Sequence, residues 1–248
     1  MNPALDLPSL AAWQTFVPYG WLHAASVTVC AVLIAVPALL GRRLRGKAER
    51  ILRRALAVAA VCYWLAYNIW WNWNGLDPRT GLPLQMCDLN GLVAPYALWR
   101  GQRWARAILY FWTAALTLQA FIQPALTAGP AWLVFWAFWT AHTLIAACAV
   151  YDLAVLGFRP GWPDLLRATL AGLLYVALVI PLDLWLGADY GFVGDPPPDI
   201  KIPPFVDALG PWPQRAIILV ALAILGFVIV LLPWRWAERR SKLAAKRR

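Results

Sequence analysis

The chain has 248 residues, 62% of them hydrophobic and only 14% charged, with a mean hydropathy of +0.59 and a formal net charge of +10. Such a composition lies outside the soluble globular range and calls for a lipid solvent, where only helices and closed barrels satisfy every backbone group. The apolar runs are too long and uniform for barrel strands, so an all-α, polytopic membrane protein built as a single domain is expected.

In chain order, residues 1–16 lack a basic n-region and contain Asp6, so the first apolar run should stay as a span rather than be removed as a signal. Each span needs roughly 20 apolar residues. That places seven near residues 19–40, 55–73, 82–99, 104–122, 131–153, 166–186 and 216–234. The first carries His23. The second ends in Asn68, Asn72 and the tryptophans Trp64, Trp70, Trp71 and Trp73, rings that favour the interface. The third opens on Leu82-Pro83-Leu84-Gln85-Met86-Cys87-Asp88-Leu89-Asn90, which sets a thiol, a carboxylate and two amides into a span. Pro83 suits the first helical position, and Pro95 should kink the helix. Gln119 and Gln123 end the fourth, His142 sits inside the fifth, and Pro181 and Asp183 lie near the end of the sixth. The Pro- and Gly-rich loop 187–214 should be ordered by turns, and a basic tail, 235–248, follows the seventh span.

Positive charge tests the count. Of 22 Lys and Arg, 19 fall in alternate loops: within 41–55, within 100–106, at Arg159 and Arg167, and after Trp234. Only Arg79, Lys201 and Arg215 occupy the others. The positive-inside rule then predicts an outer N-terminus and a cytoplasmic C-terminus. The basic segments read as topology signals that touch anionic headgroups, not as a nucleic-acid surface, which would want a soluble module.

Depth, at about 1.5 Å per residue, gathers the polar side chains in the outer half of the bilayer. His23 falls roughly 6 Å below the start of its span, Cys87 about 5 to 9 Å and His142 roughly 16 Å. Asn72, Gln119 and Asp183 lie at the outer ends of spans two, four and six, which run the other way. Polar groups in hydrocarbon are costly unless paired, which makes this zone the candidate site. Cys30, Cys62, Cys87 and Cys148 lack C-x-x-C spacing, so no disulfide framework is expected. Two chemistries fit the residues. A thiol with a histidine base makes an acyl thioester while amides or backbone N–H groups hold the oxyanion. Alternatively, His23, His142, Cys87 and Asp88 could ligate a metal, although no helix has the ligand spacing for it. A non-enzymatic binder or transporter of lipids would use the same cavity, with Asp88 and Asp183 as polar contacts. No cofactor is expected.

The pieces Tyr19-Gly20-Trp21-Leu22-His23, Leu82 to Asp88, Leu109-Tyr110-Phe111-Trp112, Leu118-Gln119-Ala120, His142, Leu186-Gly187-Ala188-Asp189-Tyr190 and Leu209-Gly210-Pro211-Trp212-Pro213 run in order along the chain. In them the sequence resembles the YwaF-type bacterial integral membrane family of seven-span proteins over nearly its whole length. That family is distantly similar to the transmembrane protein 164 acyltransferases, which handle phospholipid acyl chains with a membrane cysteine. The resemblance implies Cys87 as nucleophile, His142 as its base, membrane phospholipids as partners and the bacterial cytoplasmic membrane as location. Support from His23, Gln85, Asp88, Asn90, Gln119, Asn72, Asp183 and Tyr190 is expected around the pair. Where this chain has Gln85 the family often has a histidine, which leaves Gln85 as a hydrogen-bond donor.

Overall fold

The computed structural model describes residues 13–200 and 202–246; Asp6, Lys201 and the last two arginines of the basic tail lie outside the described residues. Helix occurs at each of the seven predicted positions: α1 Trp21–Arg43, α2 Gly46–Trp71, α3 Met86–Arg100, α4 Arg103–Ile122, α5 Leu133–Ala154, α6 Trp162–Leu186 and α7 Gln214–Lys246. Among the described residues the only β pairing is an isolated bridge between Thr15 and Ala128. Five helices, α1, α4, α5, α6 and α7, are long and apolar enough to cross a membrane. The protein is thus an all-helical membrane protein. In α2 the apolar stretch is interrupted by Tyr63, Tyr67 and Asn68, and α3 has only 15 residues.

Several boundaries differ from those predicted, and three of the differences have a clear physical reason. α2 starts at Gly46, so the basic stretch read as a loop is mostly helix. Lys, Arg, Ala and Glu are strong helix formers, and charge alone does not end a helix. α3 starts at Met86 rather than Leu82 because Pro83 biases Leu82 toward extended backbone and Gln85 adopts an extended N-cap conformation (φ −63°, ψ 148°). Pro83 is therefore outside the helix. The predicted tail continues α7 as helix through Lys246, and Pro233 does not break it.

α4 and α5 form the centre: 50% and 56% of their apolar stretches are buried, against 17% for α1, α6 and α7. α1 lies along α5, α2 and α4 flank α3, and α6 and α7 pack on the opposite side of α4. α4 is irregular. Its α turns (Arg103–Trp112) widen into a π segment, Thr113–Thr117, before the last turn, Gln119–Ile122.

One end of the bundle is basic and closed by ion pairs. The Arg103 guanidinium makes a two-pronged bond to buried Asp164 (2.9 and 2.6 Å), which also meets Arg167 at 2.8 Å, and Arg106 reaches buried Asp152 at 2.8 Å. Arg53 pairs with Glu49, which also accepts a bond from the Tyr151 hydroxyl. Such planar, bidentate geometry gives the loops between helices a fixed register.

Candidate functional site

Cys87 is the second residue of α3. The first N–H groups of a helix have no partner within it. Here that of Met86 meets no acceptor among the described residues and that of Cys87 faces its own sulfur, while the Asp88 carboxylate accepts the Gln85 N–H (3.2 Å) and closes the turn. The sulfur opens onto a cleft of about 30 Å³ between three helices. α2 contributes Tyr63, Trp64 and Tyr67, α3 contributes Asp88 and Gly91 beside Cys87, and α5 contributes Ala141, Leu144 and Ile145. That volume holds a water or two and admits the reacting end of a substrate rather than a whole chain. Trp64 lies so close to α3 that a Cβ on Gly91 would stand 3.1 Å from its ring, and its indole N–H donates to the Asp88 carbonyl (2.9 Å). Of the other cysteines, Cys30 and Cys148 are buried and Cys62 is exposed on the outer face of α2.

The segment ahead of Cys87 is held from outside its own helix by α6 and the loop after it. Gln85 accepts the Gly191 N–H (2.9 Å) through Oε1, Tyr175 donates to the Leu84 carbonyl (2.8 Å), and Tyr190 accepts the Leu82 N–H and donates to the Pro78 carbonyl. Gln85 is thus an acceptor in this contact, where a donor was expected. Burial pushes the Tyr190 hydroxyl above its ordinary range, which keeps its proton available for the Pro78 bond. Asp183, fully buried, accepts the Tyr190 N–H through Oδ1, and its Oδ2 has no hydrogen-bond partner among the described residues.

Two residues that sequence reasoning passed over complete the clamp. Asp189 accepts the Gly194 N–H (3.0 Å) and lies 3.5 Å from Arg215, which donates to the carbonyls of Phe192 (3.2 Å) and Gly194 (2.7 Å). Burial raises the Asp189 carboxyl, and Arg215 and the Gly194 amide oppose that shift. The signal was present in the motifs around Asp189 and Trp212, but Arg215 counted only as a stray charge. Gly191 sits at φ +67°, and a Cβ there would lie 2.5 Å from the Tyr175 hydroxyl. Gly191→Ala is therefore expected to lower stability by about 1–3 kcal/mol, read as an earlier thermal transition of the detergent-solubilised protein.

The two histidines differ. His23 is buried with both ring nitrogens engaged: Nδ1 accepts the Tyr19 N–H (2.9 Å) and Nε2 faces the Phe121 carbonyl (2.9 Å). Those partners fit one tautomer and leave nothing for a substrate or metal. His142 binds the Phe138 carbonyl through Nδ1 (2.6 Å) and lies among the rings of Phe121 and Phe138. Its Nε2 makes no hydrogen bond to the described residues, the arrangement of an oriented base. No hydrogen bond joins His142 to Cys87; α5 faces the cleft with Ala141, and His142, the next residue, is turned by about 100° toward Phe121. His23→Ala is expected to destabilise the protein by about 1–3 kcal/mol by orphaning a buried amide and carbonyl, with no loss of chemistry per folded molecule. Equal loss of activity in folded His23→Ala protein would contradict this assignment.

The remaining polar residues are placed apart from the sulfur. Asn90, fully buried, donates to the hydroxyls of Thr113 (3.1 Å) and Thr117 (3.2 Å) in the π segment of α4, and its Oδ1 is unpaired. Asn72 donates to the carbonyls of Asn68 and Gly81, tying the end of α2 to the approach to α3. Gln119 is exposed on the last turn of α4. Among the described residues no three His, Cys, Asp or Glu side chains are grouped as metal ligands.

The long apolar helices make the chain a multi-pass helical membrane protein in class. Residues 14–243, nearly the whole chain, match the model of the TMEM164 family, and the chain belongs to that family. No curated protein and no solved structure gives a significant match. The distant similarity seen in the motifs is thus the relation that the whole chain carries.

Proposed function

We propose that the protein is a membrane-embedded lipid acyltransferase, or the related acyl hydrolase, with Cys87 as nucleophile. The observation that carries this reading is the position of Cys87, in the first turn of α3, where its own N–H faces the sulfur beside the Met86 amide and a small cleft, in a chain of the TMEM164 family. The sulfur attacks the carbonyl carbon of a phospholipid ester while the Met86 and Cys87 N–H groups receive the developing oxyanion. Its proton passes to His142 Nε2 and then to the departing lysolipid oxygen, leaving an acyl thioester. An acceptor alcohol or water attacks the thioester, His142 takes its proton, and the thiol is restored. The Cys87 and His142 side chains close on one another when substrate binds, as catalytic hydrogen bonds often do. All seven helices span the bacterial cytoplasmic membrane in this reading, with the N-terminus outside and the charged end in the cytoplasm. The loop after α6 roofs the site.

The experiment is to incubate purified protein with phospholipid vesicles and measure its intact mass. A gain of one acyl chain, removed by neutral hydroxylamine and mapped to Cys87, is the expected result. Absence of the adduct together with absence of lipid turnover, or an adduct on another cysteine, overturns the proposal.

A further inference from the structure

A second cleft lies on the outer face of the α2–α3 pair, away from the Cys87 side. Its volume is about 380 Å³, within the range of small-molecule sites. Val58, Val61 and Cys62 form one wall and Leu92, Pro95, Tyr96 and Trp99 the other, above Ala57. Val58, Leu92, Tyr96 and Trp99 are each between 40% and 51% exposed, so the groove opens toward hydrocarbon. It ends at Arg100, on the basic end of the bundle.

The charges at that end are not balanced. Arg54 lies over the Trp99 ring, 5.3 Å from its centroid, and neither Arg54 nor Arg100 makes an ion pair or side-chain hydrogen bond among the described residues. Of the nearby arginines, Arg53 pairs with Glu49, Arg103 with Asp164 and Arg106 with Asp152, whereas Arg50, one turn before Arg54, also makes no ion pair among the described residues. Glu49, the acid on the first turn of α2, is already shared between Arg53 and Tyr151. An apolar channel capped by two uncompensated guanidiniums and an interfacial tryptophan matches an anion attached to a hydrocarbon chain. Bulk annular lipid needs neither the groove nor the charge, whereas guanidinium forks favour phosphate.

We propose that this groove is a binding site for an anionic glycerophospholipid, with one acyl chain between α2 and α3 and the phosphate on Arg54 and Arg100. Its Arg100 end stands about 20 Å along α3 from Cys87, thirteen residues away, while Leu92 at the other end is five residues away, so a lipid with its headgroup on Arg54 and Arg100 does not have its ester in reacting position. It does not depend on the catalytic reading.

The test uses full-length protein, delipidated in detergent and titrated with phosphatidylglycerol or phosphatidylcholine of identical chains under native mass spectrometry. Wild type is expected to retain phosphatidylglycerol at least tenfold more strongly. The double variant Arg54→Ala/Arg100→Ala should lose that preference, and Val61→Trp, which fills the groove while keeping both arginines, should weaken it comparably. Arg42→Ala/Arg43→Ala, which removes equal charge elsewhere on the basic end, should leave it intact. Equal retention of the two lipids by wild type overturns the proposal, as does an equal loss in the Arg42/Arg43 control. A photoreactive phosphatidylglycerol carried by wild-type protein should crosslink to α2 and α3 lining residues; labelling confined to other helices also refutes it.

Discussion

Cys87→Ser protein is expected to fold as wild type and to lose acyl transfer by on the order of 10³-fold or more, with no hydroxylamine-labile adduct. The substitution is nearly isosteric and a serine hydroxyl can take the same backbone contact, so stability should hardly change. What it removes is a polarizable nucleophile whose thioester is readily broken again. His142→Ala should cost roughly 10² to 10⁴-fold, the usual worth of a general base, and should slow both formation and breakdown of the thioester. Exposed Cys62 supplies the control: Cys62→Ser should leave turnover unchanged. Turnover by Cys87→Ser at the wild-type rate would place the chemistry elsewhere. Single-turnover measurement of adduct formation and decay, alongside a thermal melt, separates these outcomes from misfolding.

Arg215→Ala is expected to produce the largest loss of stability. Arg215 and Asp189 are each about 4% exposed in their side chains, and removing one partner leaves a buried charge and two carbonyls unanswered. The expected cost is about 3–5 kcal/mol. The loop carrying Tyr190 and Gly191 would then loosen from Leu82 and Gln85, so activity at temperatures below the melt should fall as well. Asp189→Asn combined with Arg215→Ala should cost less than the sum of the single changes, because the stranded charge is gone. A melt of Arg215→Ala indistinguishable from wild type would show that the clamp is not what holds the loop. Thermal unfolding followed by size-exclusion of the solubilised protein measures all three variants.

Much of the helical layout could be read from apolar runs, since hydropathy reports what a lipid solvent demands of a chain. Boundaries were less legible where two signals compete. Residues 47–54 are polar enough for water yet good helix formers, and the second property decided their structure. Depth estimates carried no information about direction around each helix. Two neighbourhoods therefore emerged where one was expected: Gln85, Asp183 and Tyr190 around the start of α3, and His23 with His142 around Phe121. Arg215 was illegible for a related reason. An isolated arginine in a loop looks the same whether water or three chain atoms receive it, and only the fold brings Asp189, Phe192 and Gly194 to it.

The π segment of α4 makes the count of residues in that helix matter more than their identity. A π turn holds one residue more than the α turn it replaces, which offsets everything beyond it by about a quarter of a revolution. Deleting Ala114 or Ala115 would leave an equally apolar, more regular rod. Its final turn would point elsewhere, carrying the Phe121 carbonyl away from His23 and the Phe121 ring away from His142. Both histidines thus owe one of their contacts to a single extra residue upstream, and a substitution scan that preserves chain length would never reveal that dependence.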